Sequence, residues 1–310
     1  MSFQVTEAFV KQFNGTIYQL SQQRGSRLQD KCRRETQTGK SQFWDRLGAV
    51  VAQKKTSRHS DTPLISTPHS RRRLTLNDYE HADLVDNADK IRMLIDPTSD
   101  YAQAFMWAFG RAKDDEIIEA HGGTAYAGEE GQTAVTLGND RKIVSVSGGA
   151  GSGLNVEVLR VAKRKLDEKD IDESINRYFA HTAQGLQDML SQQEVTSSDF
   201  NTVRALVQGE VNTFLGFDFC RLQRLKAQSG ALAFDVTSGA VGSGAGDADG
   251  YVKNMAWAED GLIMATGQEM KTRIGERADK SYSTQVFAEM TIGATRMEED
   301  KIVEIYSNEA

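Results

Sequence analysis

Residues 143–166, IVSVSGGAGSGLNVEVLRVAKRKL, run strand, glycines, helix, the order of a phosphate-binding element. A P-loop needs a lysine after its last glycine to reach phosphate oxygens, and Leu154 stands there instead. A dinucleotide fingerprint needs three glycines at two- and three-residue offsets. No register of Gly148, Gly149, Gly151 and Gly153 supplies it, so the stretch reads as an interdomain turn. GSGAGDADG, residues 242–250, has the composition of a calcium β-roll repeat, but such a site needs stacked copies and there is one. His59, His69, His81, His121 and His181 show no metal-ligand spacing, and Cys32 and Cys220 stand 188 positions apart with no active-site signature around either. There is no G-x-S-x-G elbow. Asp114, Asp115 and Glu116 read as the solvated face of a helix, not an acid/base pair. The expectation is a protein with no catalytic residues, no metal and no cofactor.

What remains is charge. The 310-residue chain has a formal net charge of -7, yet residues 1–73 hold 14 Lys and Arg against 5 Asp and Glu, leaving -16 on the rest. The basic excess culminates in TSRHSDTPLISTPHSRRRL, residues 56–74, with Pro63, Pro68 and four arginines. Such asymmetry points to nucleic acid or to the acidic body of another copy. Nucleic-acid readers usually interleave aromatics with their cations or carry a recognisable reading element, and neither is visible. The basic residues that could contact a partner are Lys54, Lys55, Arg58, Arg71, Arg72 and Arg73.

The elements that must position them follow from periodicity. Phe9, Phe13, Ile17 and Leu20 make one helical stripe. Each proline lacks a backbone donor and pushes its predecessor to extended conformations, so 56–74 is expected as the tip of a two-armed loop, neither helix nor central strand. Arms of about 16 to 20 residues at roughly 3.3 Å each would reach roughly 50 to 65 Å. Residues 96–123 read as the clearest helix, capped by Asp96, opened by Pro97, striped by Tyr101, Phe105, Ala108, Phe109 and Ala112, and stopped by Gly122 and Gly123. Helices are predicted at 154–170, at 183–193 after Thr182, and at 197–210, with strands at 175–182 and 214–222. The Gly- and Ser-rich residues 226–250 read as a long mobile surface loop. The last third is β-rich, with Thr284, Val286, Ala288, Met290 and Ile292, and Tyr282 before them, expected on one face. No apolar run is long enough to span a membrane, and the N-terminus lacks a secretory pattern. With only two cysteines, the expectation is a soluble protein made in a reducing cytoplasm.

The order of these stretches resembles the major capsid proteins of tailed bacteriophages, closest to a group found in short-tailed phages. TSRHSDTPLISTPHSRRRLTLNDYEHADLVD, IDPTSDYAQAFMWAFGRAKDDEII, FLGFDF and ERADKSYSTQVFAEMTIGATRMEEDKIVEI carry the resemblance, which covers nearly the whole chain. It implies an α+β, HK97-like capsid fold. The N-terminal arm would be 1–36 and an extended β-hairpin loop 37–87. A peripheral domain with a long spine helix (about 97–121) would be 88–149, an axial domain 150–255, and C-terminal strands returning to the peripheral domain 256–310. The resemblance also implies a protein that self-assembles into pentamers and hexamers of an icosahedral shell around double-stranded DNA contacted non-specifically. The expected partners are a separate scaffolding protein (the arm ahead of the loop is short), a portal and a decoration protein, with assembly in the host cytoplasm and residence in the virion. Two other readings stay open: an encapsulin-like nanocompartment shell, and a nucleic-acid-binding protein using the basic first quarter.

Overall fold

The computed structural model describes residues 22–55, 57–58, 64–85, 98–148, 150–192, 213–242 and 244–309, without the side chains of 98–101. The stripe at Phe9 to Leu20, the helix predicted at 197–210, Asp96, Pro97, Pro63, His59 and the Tyr101 side chain lie outside these. In chain order the strands before the long helix are β1 (Arg33–Thr36), β2 (Ser41–Leu47), β3 (His69–Thr75) and β4 (Asn77–Val85). The helix α1 (Thr98–Gly122) is followed by β5 (Ala125–Ala127), β6 (Thr133–Val135), β7 (Lys142–Val144), and the tight pair β8 (Val146–Ser147) and β9 (Ala150–Gly151). Then come α2 (Val156–Asp167), β10 (Arg177–His181), α3 (Ala183–Leu190), β11 (Thr213–Phe214) and β12 (Phe217–Arg221). The chain closes with β13 (Ala233–Phe234), β14 (Gly246–Asp247), β15 (Val252–Ala258), β16 (Leu262–Arg277), β17 (Ser283–Arg296) and β18 (Ile302–Ser307). None of the described helices is long and apolar enough to cross a membrane.

These elements divide into two units, each assembled from separated stretches. Residues 22–26, 78–85, 98–111 and 268–290 fall in one, and residues 27–77, 112–267 and 291–309 in the other. The segments expected from the sequence are consecutive; the units alternate along the chain, because β4, α1, β16 and β17 each contribute residues to both.

In the smaller unit the first half of α1 meets residues 22–26. Arg111 Nη1 donates to Gln22 Oε1 at 2.9 Å and to the Gln23 carbonyl at 3.2 Å, and the Arg24 guanidinium lies 5.1 Å over the Trp107 ring. Gly110 permits the approach, since a Cβ there would stand 2.5 Å from the Gly25 backbone. Phe105 is buried and takes the edge of His81 at 4.2 Å. On β17, Thr284, Val286, Ala288, Met290 and Ile292 are all buried in strict alternation, as their period of two predicts. Tyr282, expected among them, is 62% exposed, because it lies in the turn before the strand with a positive φ of 57°.

The larger unit is organised on a mixed six-stranded sheet, β11-β12-β10-β15-β18-β7. Helix α2 covers one face. Asn155 Oδ1 caps it by accepting the Val158 amide at 2.8 Å, and Val158, Leu159, Ala162 and Leu166 make one apolar stripe. That stripe packs with Phe179, Phe217, Ala256, Val303 and Ile305 of the sheet and Met189 of α3, whose own cap is the predicted Thr182. Burying a large apolar side chain completely contributes about 1.5–3 kcal/mol, so this cluster is the unit's main store of stability. The opposite face carries Trp257, tilted against Tyr178 at 5.8 Å and edge-on to His121 of α1 at 6.2 Å. Clothed on both sides, β10 and β18 are buried along their whole lengths.

Three expectations are corrected here. Residues 214–222 form a tight hairpin, turned by Leu215 and Gly216 at positive φ, in place of one strand. The Gly-rich 226–250 is built, with β13 pairing β14 and Phe234 buried among Val144, Ala248 and Tyr306. Its carboxylates are committed to the backbone: Asp247 accepts the Leu232 and Asp249 amides, and Asp249 accepts that of Gly230. Asp114 is not solvated. It is fully buried and accepts the amides of Arg27 and Leu28 at 3.0–3.1 Å.

Candidate functional site

The basic stretch folds back as a hairpin. Strands β2 and β3 pair antiparallel from Ser41↔Thr75 to Leu47↔His69, and the Gly48 amide closes the ladder on the Pro68 carbonyl at 2.9 Å. The paired arms are 7 residues each, roughly 23 Å at 3.3 Å per residue, far shorter than the arms expected. Nor is the far end of the stretch peripheral. β3 begins directly after Pro68 and lies between β2 and β5 in the sheet β2-β3-β5-β6, a central strand.

Strand alternation then separates three arginines that the sequence presents as one cluster. Arg71 and Arg73 share one face. Arg71 Nε donates to Asp45 Oδ1 across the ladder at 3.0 Å and lies 5.6 Å from the Phe43 ring, while Arg73 lies 5.0 Å from the Tyr126 ring. Arg72 points the other way and is fully buried with Leu74, whose cluster includes Ile263, Ala265, Trp44 and Met297. A side chain without exposed surface cannot touch a neighbour, which corrects the intersubunit contact expected of Arg72. Lys54, Lys55 and Arg58 lie exposed on the connection between the strands.

The Arg72 partner is Glu299, in the turn between β17 and β18. Arg72 Nη2 meets Glu299 Oε1 at 2.5 Å; Arg296 Nε lies 3.6 Å from the same oxygen, and Arg46 Nη1 3.8 Å from Oε2. Arg46 also donates to the Met297 carbonyl. Burial pushes the Arg72 and Arg296 guanidinium values down and the Glu299 charge opposes it; arginine stays cationic throughout. Arg296, also fully buried, donates to the carbonyls of His121 and Gly123 at 2.9 Å and of Val135 at 3.0 Å, closing the C-terminal end of α1.

Beside it lies His121, whose Nε2 is 3.4 Å from the Ala256 carbonyl. Burial pushes its imidazole down to about 4; the Glu304 carboxylate works against this and Arg296 with it. The folded chain therefore holds a neutral ring that the unfolded chain protonates near pH 6.5. Its contribution is complete above pH 6.5 and is lost as pH falls through 4, roughly 3 kcal/mol in all. Urea unfolding of the unassembled chain at pH 7.5 and pH 4.5 should show this loss, and His121→Leu should flatten the part of the slope between them.

The connection carries a feature that charge counting missed. Leu64 is 98% exposed and Val51 76%, and Val50, Ile65 and Leu47 are exposed beside them. Soluble surfaces seldom gather large aliphatic side chains on one loop without a partner to cover them. The available signal was Val50-Val51 and Leu64-Ile65, aliphatic pairs bracketing a stretch too polar and proline-rich to bury them.

The other candidates are absorbed by the fold. β8 and β9 pair as a tight hairpin with Gly148 at positive φ, and the α2 amides of Val156 and Val158 are taken by Gln192 and Asn155 side chains. Cys32 and Cys220 are free, buried thiols, both pushed up by burial. No group of three or more His, Cys, Asp or Glu that could hold a metal occurs among the described residues.

Comparison with known proteins gives one family and one fold. The model of the family described as phage capsid protein matches residues 5–309. No curated protein sequence matches the chain. The structure is similar to the capsid of the cyanophage P-SCSP1u, at 15% identity over 99% of this chain and 95% of that one, with a TM-score of 0.74. It is similar to the capsid subunit of the cyanophage Pam1 at 13% identity, covering 98% of each, with a TM-score of 0.70. A third is the head of the Helicobacter pylori bacteriophage KHP40, at 8% identity over 100% and 99% with a TM-score of 0.69. At these identities the likeness is one of fold.

Proposed function

The chain belongs to the phage capsid protein family, and on that premise we propose that the hairpin at 41–75 is the arm by which one copy grips the next. As a capsid protein it is a structural, shell-forming molecule. Of the roles considered, the nanocompartment and the nucleic-acid reader have no support in the family. The finer reading is ours: pentamers and hexamers close into an icosahedral shell in the host cytoplasm. That shell encloses double-stranded DNA touched non-specifically, with a scaffolding protein, a portal and a decoration protein as partners. No enzymatic step is needed for this work. The segments 1–36, 37–87, 88–149, 150–255 and 256–310 would serve as arm, extended loop, peripheral domain, axial domain and returning strands.

One observation carries the role of the hairpin: exposed aliphatic residues Val50, Val51, Leu64 and Ile65 sit on the same connection as Lys54, Lys55 and Arg58. Exposed aliphatic side chains on a connection that also carries cations fit a seam on an acidic body such as the -16 remainder of this chain. Arg71 and Arg73, half-buried against their own Phe43 and Tyr126, would stiffen the arm and reach the seam only at its edge.

The test is to purify the chain alone and with a co-expressed scaffolding protein, then follow size by light scattering and form by negative-stain microscopy. Rings, tubes or closed shells are expected. A folded monomer under both conditions would sink the reading.

A further inference from the structure

We propose that Glu299 is a latch that sets the stance of the hairpin, and through it the curvature of the shell. This rests on the hairpin being an assembly arm. The two strands of the hairpin are held to each other by their ladder and β3 is held to β5 by another; both strands are also gripped from outside the sheet, at one turn. From β2, Arg46 reaches the Met297 carbonyl and Glu299 Oε2; from β3, Arg72 reaches Glu299 Oε1 at 2.5 Å and the Met297 carbonyl at 3.4 Å. The turn itself is anchored. Arg296, beside the same Oε1, is fastened to the carbonyls of His121, Gly123 and Val135, and the Met297 amide donates to the Gly261 carbonyl at 2.8 Å. One carboxylate thus joins both rails of the hairpin to the closed end of α1.

The lever continues outward. The described residues 48–55, 57–58 and 64–68 flank the last residue pair of the ladder, Leu47↔His69, and carry the exposed aliphatic residues. A small rotation at Arg72 is therefore magnified where the arm meets a neighbour. Only Arg72 of the three consecutive arginines is placed for this, because strand alternation turns it alone towards Glu299. Its role is positioning: it would touch no other copy.

Glu299→Gln keeps shape and one acceptor but removes the charge that holds three arginines, Arg46, Arg72 and Arg296. Arg72→Met removes the β3 attachment while filling the same space. Two readouts decide the matter. Hydrogen exchange on the unassembled chain should rise at least tenfold in both variants at the amides that bond β3 to β5 within the Arg72↔Ala127 and Arg73↔Tyr126 pairing, with the amides that bond β3 to β2 changed less than threefold. Particles made from both variants should lose the uniform diameter of the wild type, giving mixed sizes and open sheets. Exchange unchanged at the β3–β5 amides, or variant particles uniform and of wild-type diameter, overturns the latch. If the wild type itself builds no particles, the assembly reading falls separately, and the exchange experiment still decides whether Glu299 holds the hairpin.

Discussion

Replacing residues 50–66 with a short Gly-Ser turn should leave a folded chain that no longer builds shells. The cut spares the β2–β3 ladder, Arg72 and its Glu299 partner, and removes Val50, Val51, Leu64 and Ile65 with Lys54, Lys55 and Arg58. Stability of the isolated chain should move by no more than about 1 kcal/mol, since exposed side chains away from a core contribute little and shortening a loop changes closure entropy slowly. Assembly should respond strongly. Covering the aliphatic residues at a seam contributes on the order of 3–6 kcal/mol per contact at about 25 cal/mol per Å². That shifts the concentration needed for assembly by at least about a hundredfold, at 1.4 kcal/mol per decade. Changing only Lys54, Lys55 and Arg58 to Ala should do much less, about tenfold, and the difference should shrink in high salt because rim charges are screened. Light scattering against concentration measures both. Normal shells from the trimmed chain would show that the arm is not the grip.

The second large effect concerns the fold itself. Arg296→Ala should cost the isolated chain about 3–5 kcal/mol, read as a fall in the midpoint of chemical unfolding. The side chain is fully buried and donates to three backbone carbonyls, which lose that donor once it is gone. Its removal also leaves Glu299 with one fewer cation beside the buried Arg72. Arg296→Lys should recover only part of the loss: an ammonium restores the charge but cannot span carbonyls on α1, the turn after it and β6 as a planar fork does. A change under 1 kcal/mol for the alanine variant would mean that the closure of α1 does not depend on this residue.

These two sites differ in how far the sequence announces them. Much of the framework was legible from neighbours a few residues apart. The stripe of Phe105, Ala108, Phe109 and Ala112 marks α1, Thr182 marks the start of α3, and the alternation from Thr284 to Ile292 marks β17. Such signals are local because a helix repeats every 3.6 residues and a strand every two, whatever lies beyond. The basic stretch and its prolines declared a two-armed loop, and the resemblance a β-hairpin, though neither gave its short ladder, its register or the central place of β3. Once β3 is admitted as a strand, the same period of two separates Arg72 from Arg71 and Arg73, so part of the misjudged cluster was readable. The Gly-rich 226–250 misled because glycine composition reports freedom in the unfolded chain, whereas in the fold Gly239, Gly242, Gly244 and Gly250 occupy the positive-φ turns that let Phe234 reach its pocket.

The sequence alone, then, determined α1, α2 and α3, the long alternating strand, the imbalance of charge and, through resemblance, the capsid family. Tertiary structure alone decided which arginine is buried and what it serves. Arg72 and Glu299 are 227 positions apart, and Arg296 and His121 are 175 apart. A periodic pattern records which face of an element is covered. It holds nothing about which distant charge will cover it, because that partner is chosen only when the strands are laid side by side.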